Sequence, residues 1–92
     1  MGEGQTRGNH AHKASHQLLV CVKGSCVVEL DDGNTQDEVR LDRPELALYM
    51  PPKIWATQKQ FSRDAALLVL ASELYDPEEY IRDYDEFLRF AK

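Results

Sequence analysis

Between residues 17 and 71 the apolar positions fall into short blocks, each closed by residues that favour turns. Residues 17–22 and 25–31 are rich in Val and Leu and are separated by Gly24-Ser25, a two-residue hairpin signal. Asp31-Asp32-Gly33-Asn34 is the next turn, built from residues that tolerate positive φ. Val39 and Leu41 alternate with polar neighbours over Gln36–Leu41, and Asp42-Arg43-Pro44 breaks the chain again. Residues 45–50 read as a strand stopped by Pro51-Pro52, since proline donates nothing to a ladder. A weaker strand is expected over 54–58. The all-apolar run 65–71 predicts a strand covered on both faces.

After Ser72 the period changes. Asp76-Pro77-Glu78-Glu79 has the residues of a helix start, and Asp83 with Glu86 repeats a capping-box spacing for a second short helix. Phe87, Leu88 and Ala91 give that helix an apolar side. Evenly spaced strands ending in a helical segment predict an all-β sandwich or barrel with one or two short C-terminal helices. At 92 residues it is a single domain, 1–92.

Strand parity carries the reading further. Taken as a hairpin, the first two strands pair Lys23 with Cys26, Val22 with Val27 and Cys21 with Val28. One face then bears Gln17, Leu19, Cys21, Cys26, Val28 and Leu30; the other bears Leu18, Val20, Val22 and Val27. Both faces are apolar near the turn, so one is expected to cover the core and the other to meet a second copy, giving a homodimer. The two cysteines would sit diagonally, roughly 7–8 Å apart, too far for a disulfide, and are expected as reduced packed thiols.

Charge narrows the function classes. The formal net charge is −5, against a nucleic-acid footprint, which needs a basic patch. The longest apolar run, 65–71, is far short of the roughly 20 residues of a membrane span. The polar start carries no secretory signal, so a cytoplasmic protein is expected.

All three histidines lie between His10 and His16. On a strand His10 and His12 share a face, and a turn over 13–16 returns Gln17 to it. Two imidazoles and a carboxamide then converge inside the barrel, a combination suited to proton transfer near neutral pH or to metal binding. A solvent-facing His-x-His on an edge strand, or the relic of a purification tag, is the plain alternative. Tyr49, Trp55 and Phe61 are equally open: they suit stacking on a base or sugar, or packing. The acidic C-terminal stretch lacks the spacing of a calcium loop and reads as helix caps and a solvated face.

His10-x-His12, four residues, Gln17, six residues and Gly24 resemble the first motif of the cupin superfamily, with Gln where many members carry Glu. A wider set is similar to the sugar-nucleotide 3,4-ketoisomerases, also called WxcM-like. It comprises Arg7-Gly8-Asn9-His10-Ala11-His12, Gly24-Ser25, Asp31-Asp32-Gly33, Leu48-Tyr49-Met50-Pro51-Pro52-Lys53-Ile54-Trp55, residues 70–76 and residues 80–88. The resemblance runs from Arg7 to Leu88 and implies a small cupin jelly roll that isomerises dTDP-4-keto-6-deoxyglucose through an enediol, without metal or cofactor. For that reaction His10, or its neighbour on the same face, is expected as base and His12 as partner acid; Arg7, Gln17 (which would also hold one imidazole in its tautomer), Tyr49 and Trp55 are the expected substrate-binding residues.

Two departures stand beside it. Pro51-Pro52-Lys53-Ile54-Trp55-Ala56 has neither the Gly nor the His of the second cupin motif, so a metal would have only histidines from the first segment and a carboxamide, a poor ligand. Ahead of Arg7, where the family carries further strands including one with Tyr and Arg, stand only residues 1–6, as in a short or truncated form. The other reading in view is a non-catalytic cupin that binds a sugar nucleotide or serves as an assembly module.

Overall fold

The structure, a computed structural model, describes residues 6–72 and 77–91. Eight strands and one helix follow in order: β1 (Arg7–His12), β2 (Gln17–Lys23), β3 (Cys26–Asp31), β4 (Gln36–Leu41), β5 (Ala47–Met50), β6 (Trp55–Lys59), β7 (Ala66–Ala71), a 3-10 turn (Pro77–Glu79), β8 (Tyr80–Ile81) and α1 (Tyr84–Ala91). The strands form two antiparallel sheets, one ordered β4-β3-β6-β1-β8 and one ordered β5-β2-β7. This is the all-β, cupin-type architecture the resemblance implied. No helix among the described residues is long and apolar enough to cross a membrane.

The expected β2–β3 hairpin does not form. β2 has β5 and β7 as neighbours, and β3 has β4 and β6, so both edges of each strand are already taken. The Gly24-Ser25 turn instead carries the chain from one sheet to the other. Its polar groups bond the loop after Phe61: the Ser25 amide donates to Ser62 Oγ at 3.0 Å, and the Ser62 amide donates to the Ser25 carbonyl at 2.9 Å. Ser62 Oγ in turn donates to Asp64 at 2.9 Å. A local pairing signal thus lost to a long-range one.

The interior parity survives this rearrangement, because the two strands now face each other across the sandwich. Leu19 and Cys21 from β2 meet Cys26 and Val28 from β3 in a core completed by Leu41, Met50 and Phe61. Each such side chain taken from water contributes about 1.5–3 kcal/mol. Val27, expected on the outer face, is buried instead. The cysteines, expected apart on one sheet, are free buried thiols close enough to hydrogen-bond across the core. Burial, with Cys21 beside it, pushes the Cys26 thiol up to about 12.

The apolar run of β7 is not covered twice. Among the described residues it pairs only with β2, and Leu68 and Leu70 are about half exposed. They lie opposite Val20 and Leu18 and form with them an apolar outer face on the smaller sheet.

The C-terminal segment differs from expectation in its first part. Asp76 lies outside the described residues; Pro77–Glu79 is a single 3-10 turn, and the chain then pairs with β1 as β8. The second helix start is where the capping box put it: Asp83 Oδ1 accepts from the Asp85 amide at 2.9 Å at the head of α1. Phe87 of α1 packs with Ala11 and Ile81 on the outside of the larger sheet. The Tyr84 hydroxyl donates to Asp31, tying the helix to β3.

Gly24 tests the crossover. Its φ is +71°, and a Cβ there would meet Ser62 Oγ at 2.3 Å and the Ala65 Cα at 2.9 Å. Gly24→Ala should therefore destabilise the fold by about 1–3 kcal/mol, read as a lower denaturant midpoint at unchanged slope.

Candidate active site

A bulge sets the site. Along β1, Arg7 pairs with Gln58, Gly8 with Thr57 and His10 with Ala56, so Gly8 and Asn9 together oppose one residue. Gly8 and Asn9 both have positive φ, and a Cβ on Gly8 would come within 2.9 Å of the Ala56 carbonyl. The extra residue flips the parity. Arg7, which would otherwise point away from His10, joins the face that carries His10, His12, Ala56 and Gln58. That face is the inner one, since Gln58 and Ala56 lie opposite Val28 and Leu30.

The two imidazoles are in edge-to-face contact, ring centres 5.0 Å apart at 80°. Tyr80, opposite His12 on β8, covers both, its ring centre 4.9 Å from His10 and 4.5 Å from His12. The Arg82 guanidinium lies over the Tyr80 ring, 4.6 Å from its centre. Neither nitrogen of buried His12 has a hydrogen-bond partner among the described residues. An uncompensated buried polar atom costs about 1–3 kcal/mol, so two on one ring are not packing for stability.

Burial lowers the pKa of both imidazoles. For His10 a hydrogen bond to the Gly8 backbone works against this and Arg82 works with it. For His12 the further causes are His10 and Arg82, which lower it, and Glu79, which raises it. Burial thus disfavours the charged form of both rings.

The segment after β1 is clamped rather than loose. Glu79 Oε1 accepts from the Ala14 amide at 2.6 Å and the Ser15 amide at 2.5 Å, and the Lys13 amide donates to the Glu79 carbonyl at 3.0 Å. Lys53 stands where the second cupin motif has Gly and still adopts the left-handed backbone, φ +68°, its amide donating to the His12 carbonyl at 2.8 Å. The turn that abuts His12 is thus kept without the glycine.

Of the residues singled out from sequence, Arg7, His10 and His12 share the inner face of the larger sheet, and buried Gln17 enters from the inner face of the smaller one. Among the described residues no hydrogen bond joins Gln17 to either imidazole. Tyr49 and Trp55 are not brought to this interior. Tyr49 lies opposite Leu18, on the outer face of the smaller sheet, where its hydroxyl meets His16 Nδ1 at 2.6 Å. Trp55 lies opposite Asp31, on the outer face of the larger sheet, packed against Tyr84 and Phe87 of α1. In both cases parity decides: the inward neighbours are Met50 and Ala56. Phe61 is core. Sequence reading missed Tyr80, Arg82 and Glu79, because the helix-start residues at 76–79 masked the strand that presents them. Among the described residues, no three His, Cys, Asp or Glu side chains cluster to hold a metal ion.

His12 supplies a direct test. Because its ring nitrogens are unsatisfied, His12→Leu should leave the melting temperature unchanged or raise it near neutral pH. Native imidazoles with lowered pKa bind fewer protons than unfolded ones. Their stabilisation is therefore complete above the ordinary value of 6.5 and lost as pH falls through the lower folded values. The melting temperature should fall on acidification below 6.5, less steeply in His12→Leu.

This geometry has close counterparts. The family described as WxcM-like, C-terminal, matches residues 1–92. The TDP-4-oxo-6-deoxy-alpha-D-glucose-3,4-oxoisomerase of Aneurinibacillus thermoaerophilus is 49% identical over 86 residues, covering 94% of this chain and 62% of that protein. A 3,4-ketoisomerase from Helicobacter canadensis superposes with a TM-score of 0.95 at 44% identity, over 99% of this chain and 68% of its own. A His-to-Asn mutant of the 3,4-ketoisomerase from Thermoanaerobacterium thermosaccharolyticum, in complex with TDP-4-keto-6-deoxyglucose, superposes with a TM-score of 0.96 at 37% identity, over 99% and 66%. Matched along its whole length by the family's model, and carrying the paired inward histidines on a cupin-type sandwich, the chain belongs to the WxcM-like, C-terminal family.

Proposed function

We propose that the protein is a sugar-nucleotide 3,4-ketoisomerase acting on dTDP-4-keto-6-deoxyglucose by proton transfer between imidazoles. The observation that carries this reading is His12: a buried ring whose two nitrogens have no partner among the described residues, beside a second imidazole, suits a ligand that can exchange protons with it. The relatives' activity and the bound sugar nucleotide of the structural neighbour support the substrate class.

Moving a carbonyl from C4 to C3 requires three events: loss of the C3 proton, passage through an enediolate, and protonation at C4. Neutral His10 takes the C3 proton and becomes imidazolium. That proton, passed from His10 to neighbouring His12 and open to exchange with solvent on the way, is delivered to C4 while the hydroxyl proton on O3 passes to O4, so that both imidazoles end neutral and charge and protons balance. Base strength near the working pH suits imidazole to both steps. Arg7, on the same face and exposed at the head of β1, meets negative charge on the enediolate or the diphosphate. Gln17 supplies a polar contact from the opposite sheet. No metal or cofactor is assigned a part.

The partner in assembly is a second copy of the chain. Leu18, Val20, Val22, Leu68 and Leu70 line one outer face, with Val22, Leu68 and Leu70 about half exposed. A homodimer burying that face should sediment as a stable dimer at micromolar concentration, and Leu68→Glu should dissociate it. A wild-type monomer would contradict the assembly.

The chemistry is tested by incubating the protein with dTDP-4-keto-6-deoxyglucose in deuterated water. Deuterium should enter the sugar as the ketone moves. His10→Asn should slow this at least about 100-fold while leaving the fold intact, since Asn fills similar space but carries no titrating proton. Binding of dTDP without exchange in the wild type would leave a non-catalytic sugar-nucleotide binder and overturn the isomerase reading.

A further inference from the structure

Arg82 stands out among the charged residues. What sets it apart is its place, over an aromatic ring at the edge of the histidine pair. It lies on the Tyr80 ring, and that same ring covers His10 and His12. A cation on an aromatic face is held by the ring's quadrupole and keeps its charge. The stack thus fixes a positive charge one ring away from two imidazoles.

We propose that Arg82 is a positioning residue for the isomerisation: seated on Tyr80, its guanidinium holds a positive charge beside the imidazole pair, so that His10 and His12 rest in their proton-accepting form. The inference rests on the isomerase reading given above. The other groups around the pair are few. Arg7 shares the inner strand face with the pair. Glu79, on the turn before β8, opposes Arg82 at His12, though its Oε1 is engaged by two backbone amides. Lys53 contributes its backbone amide to His12 and sends its ammonium over Phe90 instead. Tyr80 is the neutral spacer. Burial is the larger influence on both rings, and Arg82 adds to it at each.

Arg82 is exposed at the surface, so replacing it spares the core. Arg82→Met keeps an apolar chain over Tyr80 and removes the charge; Arg82→Lys keeps the charge. The first measurement is NMR titration of the imidazole resonances without substrate. Arg82→Met should raise the midpoints of His10 and His12 by a few tenths of a pH unit, a shift of about the size a nearby exposed charge produces. Arg82→Lys should restore most of the wild-type midpoints. The second measurement is the pH dependence of solvent deuterium incorporation, whose acid limb should move up by the same amount. Unmoved midpoints in Arg82→Met overturn the inference, whatever the activity. Shifted midpoints in a protein that never exchanges deuterium would support the electrostatic role and overturn the isomerase reading alone.

Discussion

A strand that carries Arg7, His10 and His12 cannot present all three to one side by simple alternation, because seven and ten differ in parity. The bulge at Gly8-Asn9 resolves this by making two residues oppose Thr57. Both bulge residues take positive φ, which glycine does freely and asparagine better than most. The placing of Arg7 beside the two imidazoles follows from that irregularity. It places a guanidinium at the mouth of the row, an accessible imidazole in the middle and a buried one at the end. Without it Arg7 would face the helix side of the sheet, where Trp55 and Phe87 sit.

The price of the arrangement is visible at His12. A buried ring with no partner for either nitrogen among the described residues costs stability, and its burial disfavours the charged form. The supports are all rigid. Tyr80 is fixed by strand pairing, the loop after β1 is clamped by Glu79, and the turn at Lys53 is bonded to the His12 carbonyl. Such fixed geometry is what the proposed proton transfer would require, because imidazoles that swing would lose their alignment.

Much of this was legible beforehand, for identifiable reasons. Alternation placed most strands within a residue or two, and the capping residues at Asp83 marked the start of α1. The inward parity of Leu19, Cys21, Cys26 and Val28 held even though the pairing that suggested it did not. Pairing was hidden because Gly24-Ser25 is equally good as a hairpin turn and as a crossover, and only competition from β5, β7, β4 and β6 decides between them. The burial of β7 was overestimated for a related reason: an unbroken apolar run says that a strand wants cover, not that this chain supplies it. Tyr49 and Trp55 were attractive as aromatics near the motif, but one position along a strand separates the inner face from the outer. Tyr80 and Arg82 were out of reach because they lie far from the histidines in sequence, behind residues that mimic a helix start.

The central claim is that the inward imidazole pair is where the sugar reacts. A crystal structure of the protein with bound dTDP-4-keto-6-deoxyglucose, or with an unreactive analogue, tests it most directly. The account predicts the hexose between the sheets, with ring nitrogens of His10 and His12 within about 3.2 Å of the C3 or C4 substituents and the diphosphate toward the Arg7 end. A hexose lodged elsewhere, with the His12 nitrogens still unpartnered, would contradict it.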